Sequence, residues 1–187
     1  MMWFIADTHY GHKNIVRGTS GWNDKTGCRD FSSQEDHDTW VVDRINAEVQ
    51  ADDVLYHLGD WSFGGEGNIK ELARRLNCKT VHLVLGNHDT PARCHTSGVF
   101  ASVQPYLELP SHNLVLSHYP IELWNRMDTG SIHLHGHVHG KGRKIAGRYD
   151  VGVDALGLCS FNDVVQWPKA SRIDRHGRET VGKKPWA

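Results

Sequence analysis

The chain has no apolar run long enough to cross a bilayer. Its longest apolar stretches, such as 81–85, fall far short of the roughly 20 residues a spanning helix needs. The first residues, Met1-Met2-Trp3-Phe4-Ile5-Ala6, carry no basic segment and reach Asp7 after a few apolar positions, so they do not read as a signal peptide. Cysteine is scarce. Cys28, Cys78, Cys94 and Cys159 form no Cys-x-x-Cys pair, which argues against a structural zinc site or a disulfide framework and fits a reduced cytoplasm. A surplus of either charge is also missing. With 21 Lys and Arg against 22 Asp and Glu the net charge is -1, which argues against strong non-specific nucleic-acid binding and leaves room for a local basic patch. Internal repeats, low-complexity linkers and a second domain are not evident. A chain of 187 residues, 39% hydrophobic and 23% charged, is expected to form one domain over 1–187, with a core over about 1–165 and a basic segment over about 166–187.

What the sequence does have is histidine: 14 of them, spread along the chain and several of them closing short apolar runs. Residues 2–6, 53–58 and 81–85 read as buried strands, with a helix from Ser32 or Ser33 to about Gln50, its apolar side Trp40, Val41, Ile45 and Val49, and a second from an Asn68 cap through Leu76. The second half reads as shorter strands over about 99–103, 106–109, 113–117, 131–135 and 148–153, with a helix over 120–127 after Pro120. The tail beyond 163 reads as a strand or hairpin that frays, and 11–31 as a long loop. Strand-helix-strand order favours parallel pairing in the first half, and the second half reads as antiparallel or mixed.

Five clusters each follow a strand-like run: Asp7-Thr8-His9, Gly59-Asp60, Gly86-Asn87-His88-Asp89, Ser117-His118 and Gly136-His137-Val138-His139. In extended chain, residues i and i+2 face one side, so Asp7 with His9 and His137 with His139 can converge. A glycine before Asp60, Asn87 and His137 permits the close backbone approach of a crowded site. Mixed imidazole, carboxylate and amide donors suit Mn, Fe, Co, Ni or Zn better than Mg or Ca. Singly these clusters are weak signals; all five in order are a strong one.

Together the clusters resemble the calcineurin-like metallophosphoesterase superfamily, in particular its small single-domain bacterial and phage members. The resemblance covers residues 7 to 139. It implies an α/β fold, a four-layer sandwich of two mixed sheets flanked by helices. It also implies two divalent transition-metal ions, manganese foremost, with Asp7, His9 and His139 on one, Asn87, His118 and His137 on the other, and Asp60 bridging both. His88 would stand over the substrate as proton donor or charge stabiliser. Two cations neutralise a phosphate ester, activate a shared water and hold attacking and leaving oxygens in line.

The remaining histidines divide. His82, His133 and His135 lie inside strands and read as structural, while His57 is a candidate partner to a ligand. His12 opens the long loop beside the site and, with Arg17 and Arg29, is a candidate for contact with substrate phosphate. The expected activity is hydrolysis of phosphodiesters, including cyclic nucleotides, because no basic residue lies within the clusters to hold a monoester. The rival readings are a nuclease on a short nucleic acid, a phosphomonoesterase, and a non-catalytic binding module. No membrane partner is expected.

Overall fold

The computed structural model describes residues 1–169 and a short strand pair, 172–173 with 179–180. The first half folds as the apolar runs dictate. Strands β1 (Met2–Ile5), β2 (Val54–His57), β3 (Thr80–Val84) and β4 (Ser102–Gln104) lie parallel in the order β4-β3-β2-β1. Ile5, His57 and Leu83 sit side by side near the carboxyl ends. The far edge is closed by β9 (Cys159–Ser160), antiparallel to β1.

Alternation splits each strand between two cores. Ile5, Leu55, Val81 and Leu83 face the helices, and Phe4, Tyr56 and Val84 face the second sheet. The covering helices are α1 (Gln34–Asn46) and α2 (Glu66–Arg75), and α3 (Pro91–Thr96) packs beside α2. The second sheet has the order β5 (Tyr106–Leu109), β6 (Leu114–Ser117), β7 (Ile132–His135) and β8 (Arg148–Asp150); β5 is antiparallel to β6 and the rest are parallel. Leu114, Leu116, Ile132 and Leu134 meet Phe4, Ala6 and Leu58 between the sheets. Each such side chain contributes about 1.5–3 kcal/mol on burial, which is why the sheets stay face to face.

Several expected boundaries shift for identifiable reasons. Ser33 does cap α1, accepting from the Asp36 N–H at 3.1 Å, but Trp40 is 41% exposed and Val42 takes its place in the core. The second helix begins at Glu66 after Gly65, not at Asn68, which lies inside it and turns its amide back to the Phe63 carbonyl. Residues 120–127 form no helix. Arg126 is left-handed at φ 60°, Trp124 donates its indole N–H to Ser131, and a 3-10 turn spans Met127–Thr129. This irregular segment, with Ile121, Trp124 and Met127 over Val115, covers the outer face of the second sheet where a helical layer was expected. A fourth helix, α4 (Phe161–Val164), packs at the edge by β9 and β1 under a Ser160–Asp163 capping box.

Of the basic tail, Arg172–Ile173 and Glu179–Thr180 pair antiparallel as β10 and β11. The fraying expected beyond them falls outside the described residues. No helix among the described residues is long and apolar enough to cross a membrane, and all four cysteines are free and buried.

His133 is buried on the outer face of β7, its Nδ1 on the Val115 carbonyl at 3.1 Å, its Nε2 accepting the Ile121 N–H at 3.1 Å. Burial pushes its pKa down to about 4, against the pull of that carbonyl. An unfolded imidazole takes its proton near 6.5, so between 6.5 and 4 the unfolded chain binds more protons and stability falls as pH falls. For this group the loss at pH 5 is about 2 kcal/mol. Urea unfolding of the metal-free chain across pH 4.5–7.5 should show this slope, and His133→Gln should flatten it by close to one proton.

Candidate metal centre

The two sheets converge at the carboxyl ends of their parallel strands, and Ala6 joins them. Its N–H donates to the Val151 carbonyl at 3.0 Å and its carbonyl accepts from Val153 at 3.1 Å. Immediately beyond this junction the chain does something costly. Asp7 (φ 57°), His9 (φ 48°), Asp60 (φ 57°), His137 (φ 72°) and His139 (φ 49°) all adopt left-handed backbone. Among the other described non-glycine residues only Asn113 and Arg126 do so. The conformation costs an L residue roughly 1–2 kcal/mol, and it persists only where the surroundings over-determine it.

The surroundings do. The strand ends run on side by side, with Asp7 N–H on the Gly59 carbonyl and His9 N–H on the Asp60 carbonyl, both at 3.0 Å. The Asp7 carboxylate accepts the His137 N–H at 3.0 and 3.1 Å, and the Asp60 carboxylate accepts the His88 N–H at 2.9 Å. Asp89 accepts from Asp60 and Gly86 at 2.8 Å and from Trp61 at 3.0 Å, binding the turn after β3 to the end of β2. The glycines are steric necessities. A Cβ on Gly86 would overlap Asp60 Oδ1, and one on Gly136 would lie 2.6 Å from Asp7 Oδ2.

The seven expected ligands come together. One donor atom each from Asp7, His9 and His139 lies within 4.8 Å of the others, and the same holds for Asp7, Asp60 and His118. Asp60 Oδ2 stands 3.6 Å from His9 Nε2 and 3.6 Å from His118 Nε2, between the two groups. Asn87 Oδ1 faces His118 Nε2 at 3.0 Å and His137 Nδ1 at 2.8 Å. The Leu58 carbonyl lies 2.8 Å from His118 Nδ1 and accepts its N–H, leaving Nε2 as a lone-pair donor aimed where the Asn87 oxygen points.

The electrostatics bear on whether these residues fit a cation. Asp7, His9, Asp60 and His118 are buried, and both ring nitrogens of His9 lack any hydrogen-bond partner. An orphaned imidazole is expensive inside a protein unless something accepts its lone pair. Burial pushes the Asp7 carboxyl up to about 7, against the favourable influence of His139 and the His137 N–H. Burial likewise lowers His9, with Arg29 adding to the effect, and lowers His118. Two nearby carboxylates among imidazoles fit divalent transition metals, so the residues present suit the expected pair of ions.

Three substrate-contact expectations fare differently. Arg29 is 7% exposed and its donors are all used, on the Asp7 and Thr8 carbonyls, His37 and both oxygens of Asp154. It is a brace beneath the ligands, not a phosphate contact. Arg17 turns outward to Asp30 at 3.1 Å and to the Cys28 carbonyl. His12 does reach the site, its ring 3.7 Å from Phe63 and 5.6 Å from His9, and burial with His88 nearby lowers it to about 4. His57 meets the Thr8 hydroxyl at 2.9 Å and so fixes the residue between two ligands.

Sequence reasoning missed Asp154, which accepts from His139 Nδ1 at 2.5 Å and from Arg29. Burial alone would raise Asp154, yet His139 and Arg29 hold it well below the usual carboxylate range, and Asp154 in turn raises His139. It follows the short strand β8 by four residues, beside Gly152, where an added Cβ would overlap Asp7 Oδ2. His37 meets Arg29 at 2.8 Å. Two cavities adjoin the centre. One of about 610 Å³ lies behind His139, lined by Val138, Gly140, Ile145, Tyr149 and Asp154, and one of about 170 Å³ lies beside His88.

No family model matches the chain. It is 28% identical over 168 residues to the Gene 66 protein of Mycobacterium phage D29, covering 75% of this chain and 79% of that one. It is 29% identical over 200 residues to the Gene 66 protein of Mycobacterium phage L5, covering 87% and 91%. Its fold is similar to the crystal structure of a protein of unknown function from Aquifex aeolicus, with TM-score 0.57, 23% identity and coverage of 88% and 92%. That likeness establishes the architecture: an α/β chain with two mixed sheets packed together.

The ligand geometry predicts metal uptake directly. Calorimetric titration of the chelator-treated chain with Mn²⁺ or Zn²⁺ should register two ions per chain with release of protons, and binding should weaken as pH falls from 8 to 6. Asp154→Asn should cost about 10- to 100-fold in affinity for one ion and spare the other. Unchanged affinity for both would show that the Asp154–His139 contact does not orient a ligand.

Proposed function

We propose that this chain is a binuclear metal-dependent phosphoesterase of the calcineurin-like kind, acting on phosphodiesters. One observation carries the reading: Asp60 Oδ2 is held 3.6 Å from His9 on one side and 3.6 Å from His118 on the other, between two complete donor groups. On this reading Asp7, His9 and His139 hold one ion, Asn87, His118 and His137 hold the other, and Asp60 serves both. Such a pair supplies charge neutralisation, an activated water at neutral pH and in-line orientation of the reacting oxygens.

The protein's own contribution is placement. Asn87 and His88 are exposed and His137 and His139 half-buried, so the buried ligands lie beneath and the cluster opens to solvent on the Asn87–His88 side. His88 has its Nε2 4.0 Å from Asp60 Oδ2, and its ring packs 4.7 Å from Phe63 and edge-on 5.5 Å from His9. Those contacts fix the imidazole plane. An N–H held there donates to a leaving alkoxide or to phosphoryl oxygens, an effect typically of about 10²- to 10⁴-fold. Substrate class follows from the missing cation. Arg29 is fully engaged below and Arg17 faces Asp30, so neither of these two arginines is aimed into the donor cluster to hold the extra charge of a monoester.

Asp60→Ala should abolish paired metal binding and reduce turnover of bis-nitrophenyl phosphate to near background; two ions bound with normal turnover would remove the basis of the reading. His88→Ala should retain both ions while the rate falls about 10²-fold or more for poor leaving groups and much less for nitrophenolate. An equal loss across leaving groups would assign His88 to charge stabilisation.

The mono- against diester question has its own measurement. With Mn²⁺ near neutral pH, kcat/KM for bis-nitrophenyl phosphate should exceed that for nitrophenyl phosphate. The reverse order would make the chain a phosphomonoesterase.

A further inference from the structure

Beside His88 lies the cavity of about 170 Å³; none of the seven proposed metal ligands lines it, and its lining is unusual for a surface dimple. Ser62 lines it, is 8% exposed, and its buried hydroxyl has no hydrogen-bond partner. Gly64 and Gly65 line it at the start of α2, a helix of 10 residues whose N-cap is Gly65 and makes no side-chain cap. The first N–H groups of that helix therefore lack the acceptor that a Ser, Asp or Asn cap would supply, and the helix end carries partial positive charge. Arg93, on α3, lies against Gly65, its Nη1 3.7 Å from where a Gly65 Cβ would stand, and makes no ion pair among the described residues. The acid in the lining, Asp89, has its carboxylate engaged by the N–H groups of Asp60, Trp61 and Gly86. A buried hydroxyl without a hydrogen-bond partner, helix N–H groups without a side-chain cap and an exposed guanidinium with no acid partner among the described residues line one cavity, and a phosphate-sized oxyanion is a group that each can hold.

We infer that this cavity is an anion subsite taking a second phosphate group of the substrate, with the scissile phosphate on the other side of His88. The inference rests on the phosphoesterase reading for the scissile group. It narrows the substrate class to esters that carry another phosphate, such as a nucleotide bearing a further terminal phosphate or a short strand. Glycine at 64 and 65 leaves the entrance free of side chains, and both adopt positive φ, 92° and 96°, which other residues rarely tolerate.

The test uses the full metal-loaded chain and three esters: the nitrophenyl ester of thymidine 5′-phosphate, the same ester with a free 3′-phosphate, and the same with the 3′-phosphate methyl-capped. The 3′-phosphate should raise kcat/KM about tenfold or more, mainly through KM, and Arg93→Ala should bring the ratio toward one. A gain with both 3′-phosphorylated esters points to strand phosphates, and a gain with the uncapped one alone points to a terminal phosphate; either supports the subsite. No gain in the native chain, or an equal loss on all esters in Arg93→Ala, overturns it, the latter by placing Arg93 at the scissile phosphate. A second measurement does not need turnover. Inorganic phosphate titrated into the chelator-treated chain should bind, and bind about tenfold more weakly to Arg93→Ala and Ser62→Ala. If no ester is hydrolysed yet phosphate binding depends on Arg93, the phosphoesterase reading fails and the anion subsite stands; binding indifferent to both substitutions removes the subsite.

Discussion

Two carboxylates, Asp7 and Asp60, are buried where the sheets meet, and most of the surrounding architecture can be traced to compensating them. Burying an ionised carboxylate without partners is among the costliest acts a fold can perform. Here each is tied to backbone N–H donors from a distant segment, Asp7 to His137 and Asp60 to His88. Those bonds do more than satisfy charge. The Asp7–His137 pair spans 130 residues and joins the end of β1 to the end of β7, so one carboxylate fixes the relative position of two sheets. What hydrogen bonds leave unsatisfied, including the orphaned nitrogens of His9, is the demand a cation meets.

The same constraint explains the strain. A residue leaving a strand in ordinary extended backbone continues along the sheet, and its side chain alternates away from its neighbour's. Left-handed steps at Asp7, His9, Asp60, His137 and His139 break that alternation at both sheets. At roughly 1–2 kcal/mol each, the five steps would together exceed half the net stability of many domains. Such strain survives because the cross-braces are backbone hydrogen bonds and because Gly86, Gly136 and Gly152 clear the space the carboxylates occupy. Binding energy of ions is a natural counterweight, since it is realised only in the folded chain.

Much of this was legible before any coordinates. The donor clusters could be read because each follows an apolar strand, and order along the chain matters more than any one motif. The strands of both sheets were visible for the same reason: their two-sided burial leaves continuous apolar runs such as Leu114-Val115-Leu116. What was not legible has physical causes. Residues 120–127 read as a helix after Pro120, but the Trp124 indole bond to Ser131 and the left-handed Arg126 make the segment irregular. Asp154 could not be found because a single acid after a three-residue strand has no periodic signature. Arg29 misled because a positive charge in a loop usually seeks solvent. Only the tertiary fold reveals five acceptor atoms awaiting it.

That misreading illuminates how the site manages charge. Arg29 is the cation nearest the ligands, yet its guanidinium points at carbonyl oxygens of Asp7 and Thr8 and at Asp154, so its charge reaches the centre from behind. Along one line run Arg29, Asp154 and His139, a fixed charge, a carboxylate and a ligand imidazole. On the proposed reading the arrangement would make His139 a better donor to a cation and keep the arginine from competing for a substrate. Front and back of the centre are therefore chemically distinct: behind lies a permanently satisfied ionic brace, and in front lie His88, Arg93 with no ion pair among the described residues, and the end of α2 without a side-chain cap. Unsatisfied donors on one side only give an anionic ligand a single direction of approach, past His88 toward the buried acids that the ions would neutralise.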